Sequence, residues 1–310
     1  MIAFGCSMTD PDLYALRAKA GVVRAMEPDS QVFAIQAAGP IFRSYNLLMQ
    51  KAARIPDLEA LVLVHQDAEI IDPRFCDKLR EALADEEVAI VGCVGAVGAP
   101  GIAWWEGDVS GGSAVCRYGE LGGGELPAVA FGGEGTPRDV RIGSVDTVDG
   151  FMLGLSPWAV RSLEFDESLG FLYGHDFDFC LQALASGRRV VTADLAVAHH
   201  HSLDLVTDNE PWIAAHVRTA EKWDGRMPHV EQREWNGDWR RRARRAEAEA
   251  AAARLLVLSK ELQRDAQEEE LERRRRDVTE TLSWRVTEPL RRMNALRRGW
   301  RRRRDPASGD

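Results

Sequence analysis

The sequence predicts an α/β fold in which a mostly parallel sheet is flanked by helices. Short apolar runs alternate with segments of helical spacing through about the first ninety residues. One of these runs, Ala60–Val64, is apolar at every position, which is typical of a strand buried on both faces of a parallel sheet. Apolar residues make up 45% of the 310 residues, so a packed core is expected rather than a disordered chain.

The chain up to Val91 divides into four strands and three helices. The predicted strands are Met1–Cys6, Gln31–Ile35, Ala60–Val64 and Val88–Val91. The predicted helices run from Pro11 to Ala20, from Tyr45 to Arg54 and from Pro73 to Leu83. Ligands in such sheets bind beyond the carboxyl ends of the strands, so Ser7, Gln36 and Asp67 are expected near one another.

The middle of the chain has little periodicity. Fourteen glycines lie between Gly92 and Gly135, together with the pair Trp104 and Trp105. This composition predicts a long functional loop, with room for hairpins. A strand is expected next at Val145–Leu155, and it carries an Asp-Gly pair.

The following elements complete the predicted domain. A helix is expected after Pro157, and a second helix begins in the acidic run Gly174–Cys180 and ends at Gly187. Val190–Thr192 and Ala196–Ala198 are strand candidates, and the second leads into three successive histidines. We therefore predict one α/β domain over residues 1–230.

The C-terminal part differs in charge and composition. The net charge is −9, with 18 Lys and Arg against 33 Asp and Glu up to residue 230, and 22 against 16 beyond it. Residues 231–288 are predicted to form a charged helical extension, with a coiled coil as a hypothesis because the apolar seam is thin. Residues 289–310 form a basic tail, which includes Arg301–Arg304. This tail is either solvated or a peripheral contact with an anionic membrane, and the acidic body argues against nucleic acid as a partner.

Cysteine usage and hydropathy indicate a compartment. The five cysteines are dispersed and odd in number, which fits a reducing environment better than a disulfide framework. No apolar stretch approaches the roughly 20 residues that span a bilayer, and the N-terminus has no signal-peptide pattern. A cytoplasmic protein is therefore expected. The alternative is a peripheral location at the inner face of the cell membrane, with the basic tail as the contact.

Three groups of residues could carry chemistry. Asp67 follows a buried strand, where a carboxylate can hold Mg²⁺ or Mn²⁺, although it could instead cap the next turn. In extended backbone His199 and His201 point to the same side, so either could complete a metal site, and a surface cluster is the alternative. Asp176 opens a helix and could act as a general base, although carboxylates also occur there for structural reasons.

Taken in order, these motifs resemble the family 2-like bacterial glycosyltransferases of the GT-A fold, over residues 1–230. The resemblance is closest to the subgroup whose metal motif reads His-Gln-Asp in place of Asp-x-Asp. The segments that carry it are Tyr45-Asn46, Leu63–Asp67, Ile102–Trp105, Asp149–Phe151, Gly174–Cys180 and the strand ending in His199–His201.

The resemblance implies a role for each matching residue. Asp67 would bind Mn²⁺ or Mg²⁺ on the donor diphosphate, His65 stands where the first Asp usually lies, and His199 or His201 would complete the coordination. Asp176 would be the general base. Asn46 would lie near the nucleotide, and the strand-end positions of Ser7 and Gln36, which come from the topology and not from the resemblance, place these two residues on the nucleotide side as well. The expected acceptor-binding residues are Trp104, Trp105, Asp149, Gly150 and His175.

The implied activity is inverting transfer of a sugar from a nucleotide-diphosphate sugar to a hydroxyl of a glycan or lipid-linked glycan, in cell-envelope polysaccharide biosynthesis. The alternative is a catalytically degenerate scaffold or binding protein of glycan assembly. A nucleotidyltransferase is disfavoured because Gly5–Asp10 lacks a Gly-rich basic phosphate loop. A dehydrogenase is disfavoured because the glycines of Gly92–Gly98 do not have the G-x-G-x-x-G spacing.

Overall fold

The computed structural model describes residues 1–37, 39–119, 124–132, 141–200, 209–230, 238–280 and 287. The strands in these ranges are β1 Ile2–Met8, β2 Gln31–Gln36, β3 Ala60–Val64, β4 Ala68–Ile70, β5 Val88–Gly92, β6 Val94–Val97, β7 Asp108–Gly111, β8 Val115–Cys116, β9 Leu126–Pro127, β10 Ser144–Val145, β11 Thr147–Val148, β12 Met152–Leu155, β13 Arg189–Thr192 and β14 Val197–His199. The α-helices there are α1 Pro11–Leu16, α2 Ala18–Ala25, α3 Ile41–Ala52, α4 Phe75–Ala82, α5 Pro157–Ser162, α6 His175–Ala185, α7 Glu210–Lys222 and α8 Asp238–Glu280.

A seven-stranded sheet forms the centre of the fold, in the order β10-β13-β5-β12-β3-β1-β2. The strands β1, β2, β3, β5 and β13 share one direction, and β10 and β12 run the opposite way. Every residue of β3 is buried, because the sheet is covered on both faces at its centre. The predicted mostly parallel α/β sheet is confirmed.

Helix α3 covers one face of the sheet. Its buried positions Phe42, Tyr45, Leu48 and Met49 recur at helical spacing and join the core formed with β3, β12 and α5. The helix begins at Ile41, four residues before the predicted start, directly after Pro40. This register turns Tyr45 and Asn46 towards the interior.

The predicted strand Val145–Leu155 is wrong as a single element. The structure divides it into β10, β11 and β12, which belong to two different sheets. Asp149 breaks the extended backbone, because its carboxylate accepts a hydrogen bond from the Phe151 N–H at 3.3 Å and so stabilises a turn. The chain thereby leaves the small sheet β11-β6-β7 and enters the central sheet as β12.

The Gly-rich middle segment is partly ordered into strands. β6 pairs with β7, and β8 and β9 join β4 and β14 in a four-stranded sheet. The predicted strand Ala196–Ala198 appears as β14, which lies in this smaller sheet beside β4. Helix α7 had no counterpart in the sequence prediction.

The C-terminal helical extension is confirmed by α8, 43 residues long. The chain divides into two compact units, Met1–Leu262 and Gln263–Asp310, so the first part of α8 belongs to the same unit as the sheet. The domain limits at residues 230 and 288 and the coiled coil remain predictions, and Arg301–Arg304 lies outside the described residues. Within the described ranges, none of the helices combines the length and apolar composition that crossing a bilayer requires.

Candidate active site

A cavity of ≈ 450 Å³ opens beyond the carboxyl ends of β1 and β3. Its lining includes Ser7, Asp67, Asp149, Asp176 and His199, which are far apart in the chain. Ser7 belongs to β1, His199 ends β14, and Asp176 lies in the first turn of α6. The ends of the elements therefore bring these polar groups together, as expected for this class of sheet.

Two histidines and one aspartate form a compact group in this cavity. His65 and Asp67 follow β3, and His199 ends β14. Their ligand atoms all lie within 4.8 Å of one another, and the His199 Nε2 is 3.5 Å from an Asp67 carboxylate oxygen. Imidazole nitrogen and carboxylate oxygen are common ligands of divalent metals, so these three residues could hold one.

The surroundings of His199 change the pKa of its imidazole. Burial lowers the pKa of the imidazole, but the charge and hydrogen bond of Asp67 outweigh this effect, so the pKa is raised above its ordinary value. The Phe151 ring stacks on the imidazole at 4.7 Å between centroids and 27° between planes. Phe151 also accepts a backbone hydrogen bond from the His65 N–H at 2.9 Å, so the turn after β11 fixes both histidines.

Asp176 lines the same cavity from the first turn of α6. Gly174 caps the helix with φ of 85°, a conformation that glycine adopts without strain. The Asp176 Oδ2 accepts a hydrogen bond from the Gly150 N–H at 2.8 Å. A Cβ at Gly150 would lie 2.5 Å from the His175 Nε2 and 2.9 Å from the Asp176 Cβ, so only glycine permits this approach.

His175 and Tyr45 place two further polar atoms beside the cavity. The His175 Nδ1 lies 2.9 Å from the Leu172 carbonyl, which assigns the hydrogen to Nδ1 and leaves Nε2 as an acceptor in the neutral ring. That Nε2 and the Tyr45 hydroxyl are buried without a hydrogen-bond partner among the described residues. The two rings meet edge to face, 5.5 Å apart, and burial raises the pKa of Tyr45. Tyr45 was missed as a site residue, although it stands in the Tyr-Asn motif.

Residues 23–227 match the family described as glycosyltransferase like. The chain belongs to this glycosyltransferase family. The match covers β2 to the end of α7, and it includes the histidines and aspartates described above.

Three relatives illustrate the range of similarity. Streptomycin biosynthesis protein StrF from Streptomyces griseus is 25% identical over 204 residues, 65% of this chain and 67% of that protein. The structure of GalNAc-T7 with UDP, GalNAc and Mn²⁺ has a TM-score of 0.46 at 8% identity, over 73% of this chain and 48% of that one. The mannosyltransferase PcManGT from Pyrobaculum calidifontis, with GDP-Man and Mn²⁺, has a TM-score of 0.42 at 11% identity, over 95% and 80%. The two structures are distant, so the chemistry of this site is argued from its own residues.

Two of the predicted nucleotide-side residues lie away from the cavity lining in this glycosyltransferase. Gln36 is exposed at the end of β2, paired with Met8. Asn46 is buried, where its amide donates to the Phe165 carbonyl at 2.9 Å and accepts from the Phe165 N–H at 2.8 Å. These bonds make Asn46 a brace for the segment before α6, because a buried amide must satisfy both of its polar atoms.

The histidine run at the end of β14 separates into different environments. His199 joins the group of His65 and Asp67 described above, and His201 lies outside the described residues. The next imidazole, His200, lies 3.2 Å from a carboxylate oxygen of Glu69 instead. Burial and the charge of Arg17 lower the pKa of His200, and the Glu69 partner opposes this only in part. Of His199 and His200, only His199 therefore belongs to the group that could hold a metal.

Gln66 is a second residue that the sequence analysis did not select. Its side-chain oxygen accepts hydrogen bonds from the Thr9 and Asp10 N–H groups at 2.8 and 2.9 Å, and its nitrogen donates to the Thr9 hydroxyl at 2.7 Å. These three bonds hold the loop after β1 against the segment of His65 and Asp67. Its position between His65 and Asp67 was the available signal.

The tryptophan pair lines the cavity, as do the predicted residues Asp149, Gly150 and His175. The Trp104 indole donates to an Asp149 carboxylate oxygen at 2.9 Å. Burial raises the pKa of Asp149, helped by the charge of Asp176, against the lowering effects of His199 and the Trp104 and Phe151 hydrogen bonds. The net result is a pKa of Asp149 above the ordinary value of an aspartate.

Proposed function

We propose that this glycosyltransferase moves a sugar from a nucleotide-diphosphate sugar to an acceptor hydroxyl, with a divalent metal at His65, Asp67 and His199. The observation that carries the proposal is the convergence of this ligand group and Asp176 on one cavity, from β3, β14 and α6. A binding module would not need a further carboxylate in the same cavity as this ligand group.

The residues fit the implied metal. Two imidazoles and one carboxylate lie close enough to share one ion. They favour Mn²⁺ over Mg²⁺, because Mg²⁺ prefers oxygen ligands. When bound, the metal supplies positive charge that stabilises the departing diphosphate. His65 replaces the first aspartate of the usual motif and is itself a ligand candidate, which supports an active enzyme over a degenerate scaffold.

Asp176 is the proposed general base. Its carboxylate accepts the proton of the acceptor hydroxyl while that oxygen attacks the anomeric carbon from the side opposite the diphosphate, so the configuration inverts. The Gly150 N–H orients the carboxylate through the bond to Oδ2. Ser7 lies on the donor side of the proposed site, and Trp104, Trp105, Asp149, Gly150 and His175 lie on the acceptor side.

The proposed setting is the cytoplasmic face of the cell envelope. The acceptor is a glycan or a lipid-linked glycan of envelope polysaccharide, which the basic tail would help to reach at the membrane. About 1 kcal/mol per basic residue near an anionic surface makes Arg301–Arg304 sufficient for weak attachment.

A donor screen tests the proposal. The full-length protein is incubated with a panel of nucleotide sugars, with and without Mn²⁺, while release of nucleoside diphosphate and thermal unfolding are measured. We expect one donor to raise the melting temperature in the presence of Mn²⁺ and to be turned over, because a ligand that binds only the native state stabilises it.

The matched variants are His199→Asn and His200→Asn, which alter neighbouring imidazoles. Only the first should abolish the Mn²⁺-dependent shift, since His200 pairs with Glu69. Donor binding without turnover, with any acceptor offered, would favour the scaffold instead. Equal loss of the shift in both variants would contradict the assigned ligand group.

A further inference from the structure

The first part of α8 packs directly against the tryptophan pair of the cavity. The Trp105 indole donates a hydrogen bond to the Ala251 carbonyl at 3.3 Å. The neighbouring Glu106 carboxylate forms an ion pair with the Arg254 guanidinium, with 2.7 Å between Nε and Oε1. Leu255, one residue further along the helix, lines the same cavity as Asp176. The C-terminal helix is thus part of the wall of the candidate active site.

This part of α8 has a buried face and not only a solvated one. Its buried residues recur at helical spacing, and they are Ala248, Ala251, Ala252, Leu255, Ser259 and Leu262. The family match ends at residue 227, before the helix begins. The helix therefore contributes to the wall of the cavity from a part of the chain that the family match does not include.

The wall next to Leu255 is aromatic and uncharged. The Trp105 and Trp212 rings stack at 5.7 Å between centroids and 22° between planes, and both line the cavity with Leu255. Trp212 comes from α7, so three separate segments build this corner. Among the described residues, the cavity lining contains no Lys or Arg.

The charge distribution indicates what this corner can bind. A diphosphate needs positive charge or a metal, and the ligands for a metal lie at the strand ends, in His65, Asp67 and His199. An uncharged aromatic wall instead stabilises a ligand by removing its apolar surface from water. The donor diphosphate therefore fits the strand ends, and the corner remains for the acceptor.

We propose that Leu255, Trp105 and Trp212 form an acceptor subsite in which α8 determines specificity, by holding a non-reacting part of the acceptor that presents an apolar face. This inference rests on the proposed function, because it assigns the acceptor to the same cavity. Two groups offer such a face: the C–H face of a sugar ring and an aryl or alkyl aglycone.

The test compares Leu255→Ala with Leu271→Ala, a truncation of the same residue type at an exposed position of the same helix. The acceptor probes are a series of para-nitrophenyl monosaccharides and the corresponding free sugars, with the donor found in the hydrolysis screen. We expect Leu255→Ala to raise the acceptor KM about tenfold, since lost methyl and methylene contacts weaken binding by such factors. Donor hydrolysis without acceptor should stay within about twofold of the wild type, and Leu271→Ala should match the wild type throughout.

A rise in KM for both kinds of acceptor assigns the contact to the sugar ring, and a rise for the aryl glycosides alone assigns it to the aglycone. An unchanged KM with both kinds overturns the subsite. Leu255→Met is the control for misfolding, because it keeps the volume of the side chain. It should retain most of the wild-type affinity for the acceptor. Failure of the wild type to release nucleoside diphosphate from any donor would refute the proposed function itself, whereas normal transfer with an unchanged KM refutes only the subsite.

Discussion

Two aspartates in the first turn of α6 have opposite surroundings. Asp176 lines the cavity and is held by the Gly150 N–H. Asp178 is 1% exposed, and one of its carboxylate oxygens lies 2.7 Å from both the Trp223 Nε1 and the Lys222 Nζ. The residue type and the helical turn are the same. The elements that pack against each side of the helix therefore decide which carboxylate is available to a substrate.

The difference follows from the geometry of a helix. Residues two positions apart project to different sides, about 200° around the axis. One side of α6 faces the turn at Gly150, and the other faces the end of α7, which supplies Lys222 and Trp223. Asp178 therefore attaches α7 to the domain, while Asp176 stays open to the cavity.

Asp176→Asn is expected to have the largest effect on activity. The amide cannot accept the proton of the acceptor hydroxyl, and general-base assistance is worth roughly 10²–10⁴-fold, so kcat should fall by about that factor. The Mn²⁺-dependent donor shift should be retained, because His65, Asp67 and His199 are untouched. The melting temperature should fall slightly, because the amide oxygen still accepts from the Gly150 N–H but the Phe177 N–H, which donates to the other Asp176 oxygen at 2.8 Å, loses its acceptor. Unchanged turnover in steady-state transfer assays would remove Asp176 from the mechanism.

Gly150→Ala tests the orientation of Asp176 without touching the carboxylate. The new Cβ would lie 2.9 Å from the Asp176 Cβ and 2.5 Å from the His175 Nε2, so both side chains must move. Since a misplacement of about 1 Å can cost about 100-fold, we expect kcat to fall by about 10- to 100-fold. Gly143→Ala is the control, because its Cβ meets no atom within 4 Å. Equal activity of the two variants would show that the close approach at Gly150 is unimportant.

Asp178→Asn should have the smallest effect on turnover and a clear effect on stability. It removes the charge opposite Lys222 and places an amide against the Gln182 amide nitrogen, which now donates to Asp178 at 2.8 Å. The free energy of unfolding should fall by about 1–3 kcal/mol, measured by denaturant titration, because buried polar groups lose their partners. At a temperature where the variant is folded, kcat should match the wild type, and a fall as large as that of Asp176→Asn would contradict the separation of roles.

Much of the fold could be predicted because its signals are local. The continuous apolar run of β3 and the alternation of strands and helices reflect burial, which the residue type already encodes. The division of Val145–Leu155 into three strands was missed, because the turn depends on the Asp149 carboxylate reaching the Phe151 N–H. Helix α7 was missed as well, although it buries Trp212 and Ile213.

The candidate site was predictable in part for the same reason. Asp67, His199 and Asp176 were selected because they follow strands or open a helix, and topology brings such positions together. Asn46 was selected from a motif, yet its amide is used by the Phe165 backbone. Leu255 carried no signal, since a leucine in a charged helix looks the same whether it faces a cavity or solvent.

The sequence by itself determined the class of sheet, the residue types at the candidate metal site and the family, because local burial patterns and short motifs are properties of neighbouring residues. Only the tertiary structure decided that Asp176 and not Asp178 faces the cavity, that His199 and not His200 joins Asp67, and that α8 reaches the tryptophan wall. These choices depend on which distant groups come within a few ångströms of each side chain, and that is a property of the packed chain as a whole.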